Sequence, residues 1–249
     1  MGLQMSYQIM ANFYDELTND VPYDEWVNFI EKVFKKYKSA PKIICDLGCG
    51  TGTVPILFSQ KGYQMIGVDS SIDMLAIATK KSENLWNKPL FLQQKMEKLD
   101  LYGTCDAFIS CLDSINYIAD LSSLKAVFEK VHMFLSKGGL FIFDINTEYK
   151  LRCLDGSSFV RETENVFCVW QTAWSEKKRQ AKFFIDFFVN NNEFYSRMSE
   201  MHVERGYSVP ELCDILIETG FKLENIFGEL SMKIPADNEE RIFFVARKI

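Results

Sequence analysis

Residues Ile43-Ile44-Cys45-Asp46-Leu47 run into Gly48-Cys49-Gly50-Thr51-Gly52, an apolar stretch that meets an acid and then a turn with glycine at every second position. Glycine has no Cβ, so this backbone can bend sharply and let a ligand approach to van der Waals contact. An apolar helical stretch comes next, from about Thr53 to Lys61. Its N-terminal amides and dipole would face whatever the turn holds. Strand, glycine turn and helix in this order call for an α/β layout with a ligand at the carboxyl edge of a sheet.

The glycine spacing separates two kinds of nucleotide ligand. Dinucleotide folds use G-x-G-x-x-G, with the third glycine allowing close packing of helix on strand. Here the pattern is Gly48-x-Gly50-x-Gly52, with Asp46 two residues before the first glycine. An acid there repels a pyrophosphate and suits the ammonium of a methionine-type ligand, directly or through water. A second acid, Asp69, ends the run 64–68, 17 residues after Gly52. That is close to the offset of about 20 residues expected of a carboxylate that accepts from both hydroxyls of a ribose. Ser70 and Ser71 then open a helix that carries Met74 toward an adenine face or into the core.

These two segments resemble motif I and the acidic post-I motif of the class I S-adenosylmethionine (SAM) dependent methyltransferases. The resemblance extends over residues 1–147 and, by topology, over 208–249. It implies SAM as methyl donor, held by Asp46, Gly48, Gly50, Asp69, Ser70 and Met74, with Cys49 giving only its backbone. Phe13-Tyr14-Asp15 and Tyr23-x-x-Trp26 are similar to the N-terminal arm of small-molecule N-methyltransferases, which folds over the methionine tail. Tyr14 and Trp26 then serve as donors to the SAM carboxylate, or else they pack the arm on the core. The chain departs from the family at Gln94-Lys95-Met96-Glu97, where an acid often receives the adenine amino group. Lys95 cannot accept, which leaves Gln94 or a backbone carbonyl, while Met96 can still cover the ring.

The run 106–117 corresponds to the fourth strand and the loop after it, where family members place cofactor and acceptor contacts. Cys111 and Asn116 are cofactor candidates on this basis, and Tyr117 is a weaker site residue. Asp113 is a base, an acceptor anchor or a simple cap.

Strands near 43–47, 64–68, 106–111 and 139–144 alternate with helices near 53–61, 71–84 and 121–135. Alternation of this kind implies parallel strands with right-handed crossovers, and Lys137-Gly138-Gly139 reads as a turn into the last of them. A helical arm covers 6–37, and Pro41 ends it. After Asn146 the pattern changes. Residues 159–207 carry eleven aromatics and read as antiparallel strands at 166–174, 182–189 and 193–203, with Asn190-Asn191-Asn192 as a turn. The segment 151–206 holds eight Lys or Arg and eight Asp or Glu, so it is neutral. The expected architecture is a seven-stranded, mostly parallel, doubly wound α/β sheet, Rossmann-like, with an inserted antiparallel β lid over its carboxyl edge. The core is 1–147 and 208–249, closing with a helix at 209–219 and strands at 222–227 and 241–247. The lid is 148–207.

At the end of the lid, His202, Glu204 and Gly206 share one strand face, and Arg205 and Tyr207 the other. His202 and Tyr207 join Asp113 as catalytic candidates, with a satisfied strand histidine as the alternative for His202. His132, on a helix among apolar neighbours, reads as structural. Lys177-Lys178-Arg179 reads as a solvated turn. A net charge of −6 argues against an extended nucleic-acid surface. With no run of 18 apolar residues and no charged-then-apolar leader, the chain is expected in the cytoplasm, off the membrane. Seven cysteines without a C-x-x-C pair, and two histidines, point away from disulfide and metal frameworks. A monomer or a dimer that methylates an N or O atom of a small molecule is the resulting expectation. A nicotinamide oxidoreductase and a SAM-binding protein without transferase activity are the two rivals.

Overall fold

The computed structural model describes residues 8–249; Ser6 and Tyr7, where the helical arm was expected to begin, lie outside the described residues. The arm is two helices, α1 (Gln8–Leu17) and α2 (Tyr23–Lys36). Pro22 divides them: it lacks an N–H, it disfavours helical backbone at Val21, and it serves as the N-cap of α2. The sheet then begins with β1 (Ile43–Leu47), α3 (Thr53–Gln60), β2 (Gln64–Asp69), α4 (Ile72–Ser82), β3 (Leu90–Gln93) and β4 (Cys105–Ser110). It continues with α5 (Leu121–Phe134), β5 (Leu135–Asn146) and the short α6 (Glu148–Cys153). The lid holds β6 (Ser158–Glu162), β7 (Val166–Ser175), β8 (Gln180–Asn190) and β9 (Tyr195–Arg205). The chain ends with α7 (Val209–Glu218), β10 (Phe221–Gly228) and β11 (Arg241–Lys248).

Seven strands form one sheet in the order β10-β11-β5-β4-β1-β2-β3, and the lid strands form a separate antiparallel sheet. β1 through β5 pair parallel, while β11 runs antiparallel to both β5 and β10. The chain moves outward from β1 to β3, then returns to β4 on the other side of β1. A ligand crevice is expected at this reversal, outside the carboxyl ends of β1 and β4.

Strand alternation sorts side chains to the two faces. Phe141, Phe143 and Ile145 of β5 join Phe244 and Ala246 of β11 in a core with α5 and α7. Leu140 and Ile142 join Phe243, Val245 and Ile44 in a second core with α2 and α3. By the same parity Asp46, Asp144 and Arg241 lie on the α2 face, at the end of the sheet where the parallel strands finish.

Two strands escaped the sequence pattern. β3 is a four-residue edge strand with no fully buried position, and β6 is exposed along most of its length. Lys137-Gly138-Gly139 is not a turn before β5 but an irregularity within it. Pairing with β4 shifts between Cys105 and Ala107, and a Cβ on Gly139 would lie 2.6 Å from the Asp106 carbonyl. No described helix is long and apolar enough to cross a membrane.

Candidate active site

A cavity of about 430 Å³ opens at the β1/β4 reversal, bounded by the glycine turn, the ends of β1, β2 and β4, and the arm. Gly48 and Gly50 have φ of +74° and +52°, a region that L side chains rarely adopt. A Cβ on Gly48 would stand 2.6 Å from Ser114 Oγ, whereas one on Gly50 would meet only open space. The first glycine therefore admits the neighbouring loop and the second bares its backbone to the cavity.

Asp69 closes this turn. Its Oδ2 accepts from the Gly50 N–H at 2.9 Å and its Oδ1 from the Ser71 N–H at 2.8 Å. Each oxygen keeps a further lone pair for a ligand hydroxyl. Burial raises its carboxyl above the usual range, opposed by these backbone donors. Asp46 is 2% exposed, and its Oδ1 has no hydrogen-bond partner among the described residues. Burial, then the nearby Asp69, pushes its carboxyl well up. Asp46 lines the cavity; an unsatisfied buried carboxyl oxygen is costly unless a donor arrives, and a ligand ammonium supplies one. Met74 and Met96 flank the space with Ser70, soft apolar surfaces suited to a flat ring. These residues fit SAM: Asp46 for its ammonium, Asp69 for its ribose, the two methionines for its base. Gln94 also lines the cavity, but its amide is engaged both ways by the backbone of Asp100.

The far wall is the loop after β4. Leu112 and Asp113 both adopt φ near +55°, at 57° and 54°, a pair of left-handed non-glycine residues that needs outside support. Arg241 gives it. Its guanidinium donates to Asp113 Oδ1 at 2.7 Å and to Asp144 Oδ2, and it lies 5.2 Å over the Trp26 ring. Asp144 Oδ2 also accepts from the Asp113 N–H at 2.9 Å. Burial lifts the Asp144 carboxyl to about 6 although Arg241 pulls it down. Arg241 escaped the sequence reading. Its signal was a lone arginine opening an apolar antiparallel strand, whose first residue lies beside the carboxyl ends of its parallel neighbours.

The arm forms the roof through Met10, Tyr14, Thr18 and Tyr23. Tyr14 is half-buried beside Tyr23 and Asp113, and desolvation foremost pushes its phenol well up. Among the sequence candidates, Tyr14, Asp46, Gly48, Cys49, Gly50, Asp69, Ser70, Met74, Met96, Cys111 and Asp113 all line the cavity. Trp26, Asn116, His202 and Tyr207 do not. Trp26 is buried under Arg241 and against Phe243 at 5.0 Å. Asn116 ties the Asn146 backbone to the Arg205 carbonyl. His202 pairs with Glu200 at 3.0 Å, and Tyr207 donates to the Ile118 carbonyl. Among the described residues none of 148–207 lines the cavity, and α1 packs on the lid: Met10, Ala11 and Leu17 meet Val166, Cys168, Ile185 and Phe187.

Glu204, just behind this site, has a measurable consequence. It is 4% exposed and accepts from Asn146 Nδ2 at 2.9 Å. Burial, then Asp113, raises its carboxyl to about 8. The folded protein therefore holds a proton there that the unfolded chain releases above about pH 4.5, so stability falls as pH rises from about 4.5 to 8. Glu204→Gln keeps an acceptor for Asn146 and removes this slope. Urea unfolding at pH 5 and pH 8.5 should show the variant gaining on the parent by on the order of 3 kcal/mol across the interval. Parallel pH profiles for the two proteins would refute the assignment.

Comparison with known proteins agrees with this geometry. A family profile described as "Methyltransferase domain" matches residues 44–139. "Putative methyltransferase YqeM" of Bacillus subtilis (strain 168) is 33% identical over 247 residues, covering 98% of each chain. The crystal structure of a SAM-dependent methyltransferase from Clostridium acetobutylicum ATCC 824 is 32% identical and superposes with a TM-score of 0.87, over 97% of this chain and 98% of that one. SAM-bound CalS10 of Micromonospora echinaspora, an amino pentose methyltransferase, shares the fold over the whole of both chains at 18% identity and a TM-score of 0.76. Glycine turn, acid-ended strands and full-length kinship agree, and the chain belongs to the class I SAM-dependent methyltransferases.

Proposed function

We propose that the acceptor is a small molecule that presents an N or O nucleophile at the end of the cavity formed by Cys111–Ser114, Tyr14 and Arg241. SAM supplies a methyl group already activated on a sulfonium, so the protein has mainly to align the nucleophile and exclude water. Asp46 and Asp69 orient the donor. Asp113 offers the acceptor a carboxylate whose Oδ1 is already held by Arg241. The contact with Arg241 fixes this carboxylate in place, and its role is to anchor an amine or hydroxyl of the acceptor.

The observation that carries this reading is the enclosure of the cavity by α1 and the Asp113 loop, which leaves room for a compact acceptor. The net charge of −6 disfavours a polyanionic one. An amine acceptor is consistent with the Asp113 carboxylate in the wall, and with the amino pentose methyltransferase CalS10 on the same scaffold. The test is transfer of labelled methyl from SAM into separated pools of metabolites, RNA and protein. Label is expected in the metabolite pool; label confined to RNA or protein would overturn the proposal.

A further inference from the structure

The lid adds nothing to the cavity wall among the described residues, yet it holds both ends of the helix that roofs it. Glu200 of β9 is 3% exposed. Its Oε1 accepts from the Ile9 N–H at 2.8 Å and the Met10 N–H at 3.3 Å, in the first turn of α1. At the other end Arg161 of β6 donates to the Leu17 carbonyl at 2.6 Å and forks onto Asp20 at 2.7 and 2.8 Å. Between them Glu16 accepts from Thr163 at 2.9 Å and from Asn165 at 3.0 Å.

These contacts supply what α1 lacks. The first N–H groups and last C=O groups of a helix have no partners within it, and ten residues are too few for a helix to persist alone. An acid at the N-terminus and a base at the C-terminus are the charges its dipole favours. Among the described residues α1 has neither: no acid in its first turn and no base in its last. The lid provides both from strands at least 140 positions away in sequence. On its core side α1 reaches the glycine turn through Asp15, which accepts from Thr51 Oγ1 at 2.6 Å and Lys81 Nζ at 2.7 Å. The helix is thus held between the lid and the cofactor turn, and Met10 and Tyr14 move with it.

We infer that the lid is a clamp: Glu200 and Arg161 are positioning residues that hold α1 closed over the cavity and set the rate at which SAM leaves. This rests on SAM occupying the cavity under α1. In the protein without SAM, hydrogen–deuterium exchange of residues 8–17 should quicken roughly tenfold in Arg161→Ala and in Glu200→Ala, with β1 and β4 unchanged. SAM dissociation, followed by stopped flow, should quicken by a similar factor in each and by more in the pair. Glu200→Gln keeps an acceptor oxygen without the charge and should fall between Glu200→Ala and the parent. Arg161 has a side chain 41% exposed, so its variant carries the test should the buried Glu200→Ala fail to fold. Unchanged exchange in α1 would overturn the clamp. So would faster exchange with SAM dissociation within twofold of the parent, since the contacts would then be merely structural. SAM affinity unaltered by Asp69→Ala would instead remove the placement of SAM, and the inference with it.

Discussion

Arg241→Met should lower the unfolding free energy by about 3–5 kcal/mol, the usual cost of leaving a buried ion pair without one partner. Arg241 is 7% exposed and is bonded to two carboxylates, one of which, Asp144, is fully buried. Methionine fills the space over Trp26 but donates nothing. The deficit should also depend on pH in a defined direction. Asp144 titrates near 6 with Arg241 present, and its carboxyl rises further without it. A buried acid whose folded pKa is raised takes up a proton on folding, so the folded state loses ground as pH climbs through the interval above about 4. The deficit is therefore smaller at pH 5 than at pH 8, and adding Asp144→Asn should recover part of it at pH 8. Denaturant midpoints at both pH values measure this. A loss under 1 kcal/mol at pH 8, or an equal loss at both, would sink the assignment.

The same residue marks where the sequence stopped being informative. β1, its glycine turn and Asp69 could be read directly, because a left-handed glycine and an acid at a strand end leave local signatures. Parity along β5 and β11 likewise fixes which face Asp144 and Arg241 occupy. What parity cannot give is the partner. Trp26 reads as a donor near the cofactor, but it lies beneath Arg241, a residue 215 positions later. Asp113 comes after the fourth strand as expected, whereas the left-handed backbone that aims it depends on Asp144 and Arg241, which come later in the chain. Aromatic content and the Asn190-Asn191-Asn192 turn identified the lid as antiparallel strands, but its apolar side chains meet α1 rather than the cavity. The shared face of His202 and Glu204 was legible. The target of their neighbour Glu200, two backbone N–H groups near residue 9, was not.

Asp69→Ala should raise the dissociation constant for SAM about 100- to 1,000-fold. Charge-assisted hydrogen bonds contribute about 1.5–3 kcal/mol each, and a ribose offers this carboxylate two hydroxyls. The expected loss is about 3–4 kcal/mol, at 1.4 kcal/mol for each tenfold change. Asp69 also fastens the Gly50 and Ser71 N–H groups, so loosening of the turn adds to the effect. Asp69→Asn should do little better. Both carboxylate oxygens face backbone donors, and an amide placed there sets its NH2 against one of them. Adenosine separates the ribose contact from general damage to the site, because it carries the ribose and no ammonium. Its binding should fall in Asp69→Ala and hold in Asp46→Asn, while SAM weakens in both. Calorimetric titration of the two ligands against the two variants decides the matter. Adenosine affinity lost equally in both variants would take the ribose away from Asp69, and SAM affinity within threefold of the parent in Asp69→Ala would do the same.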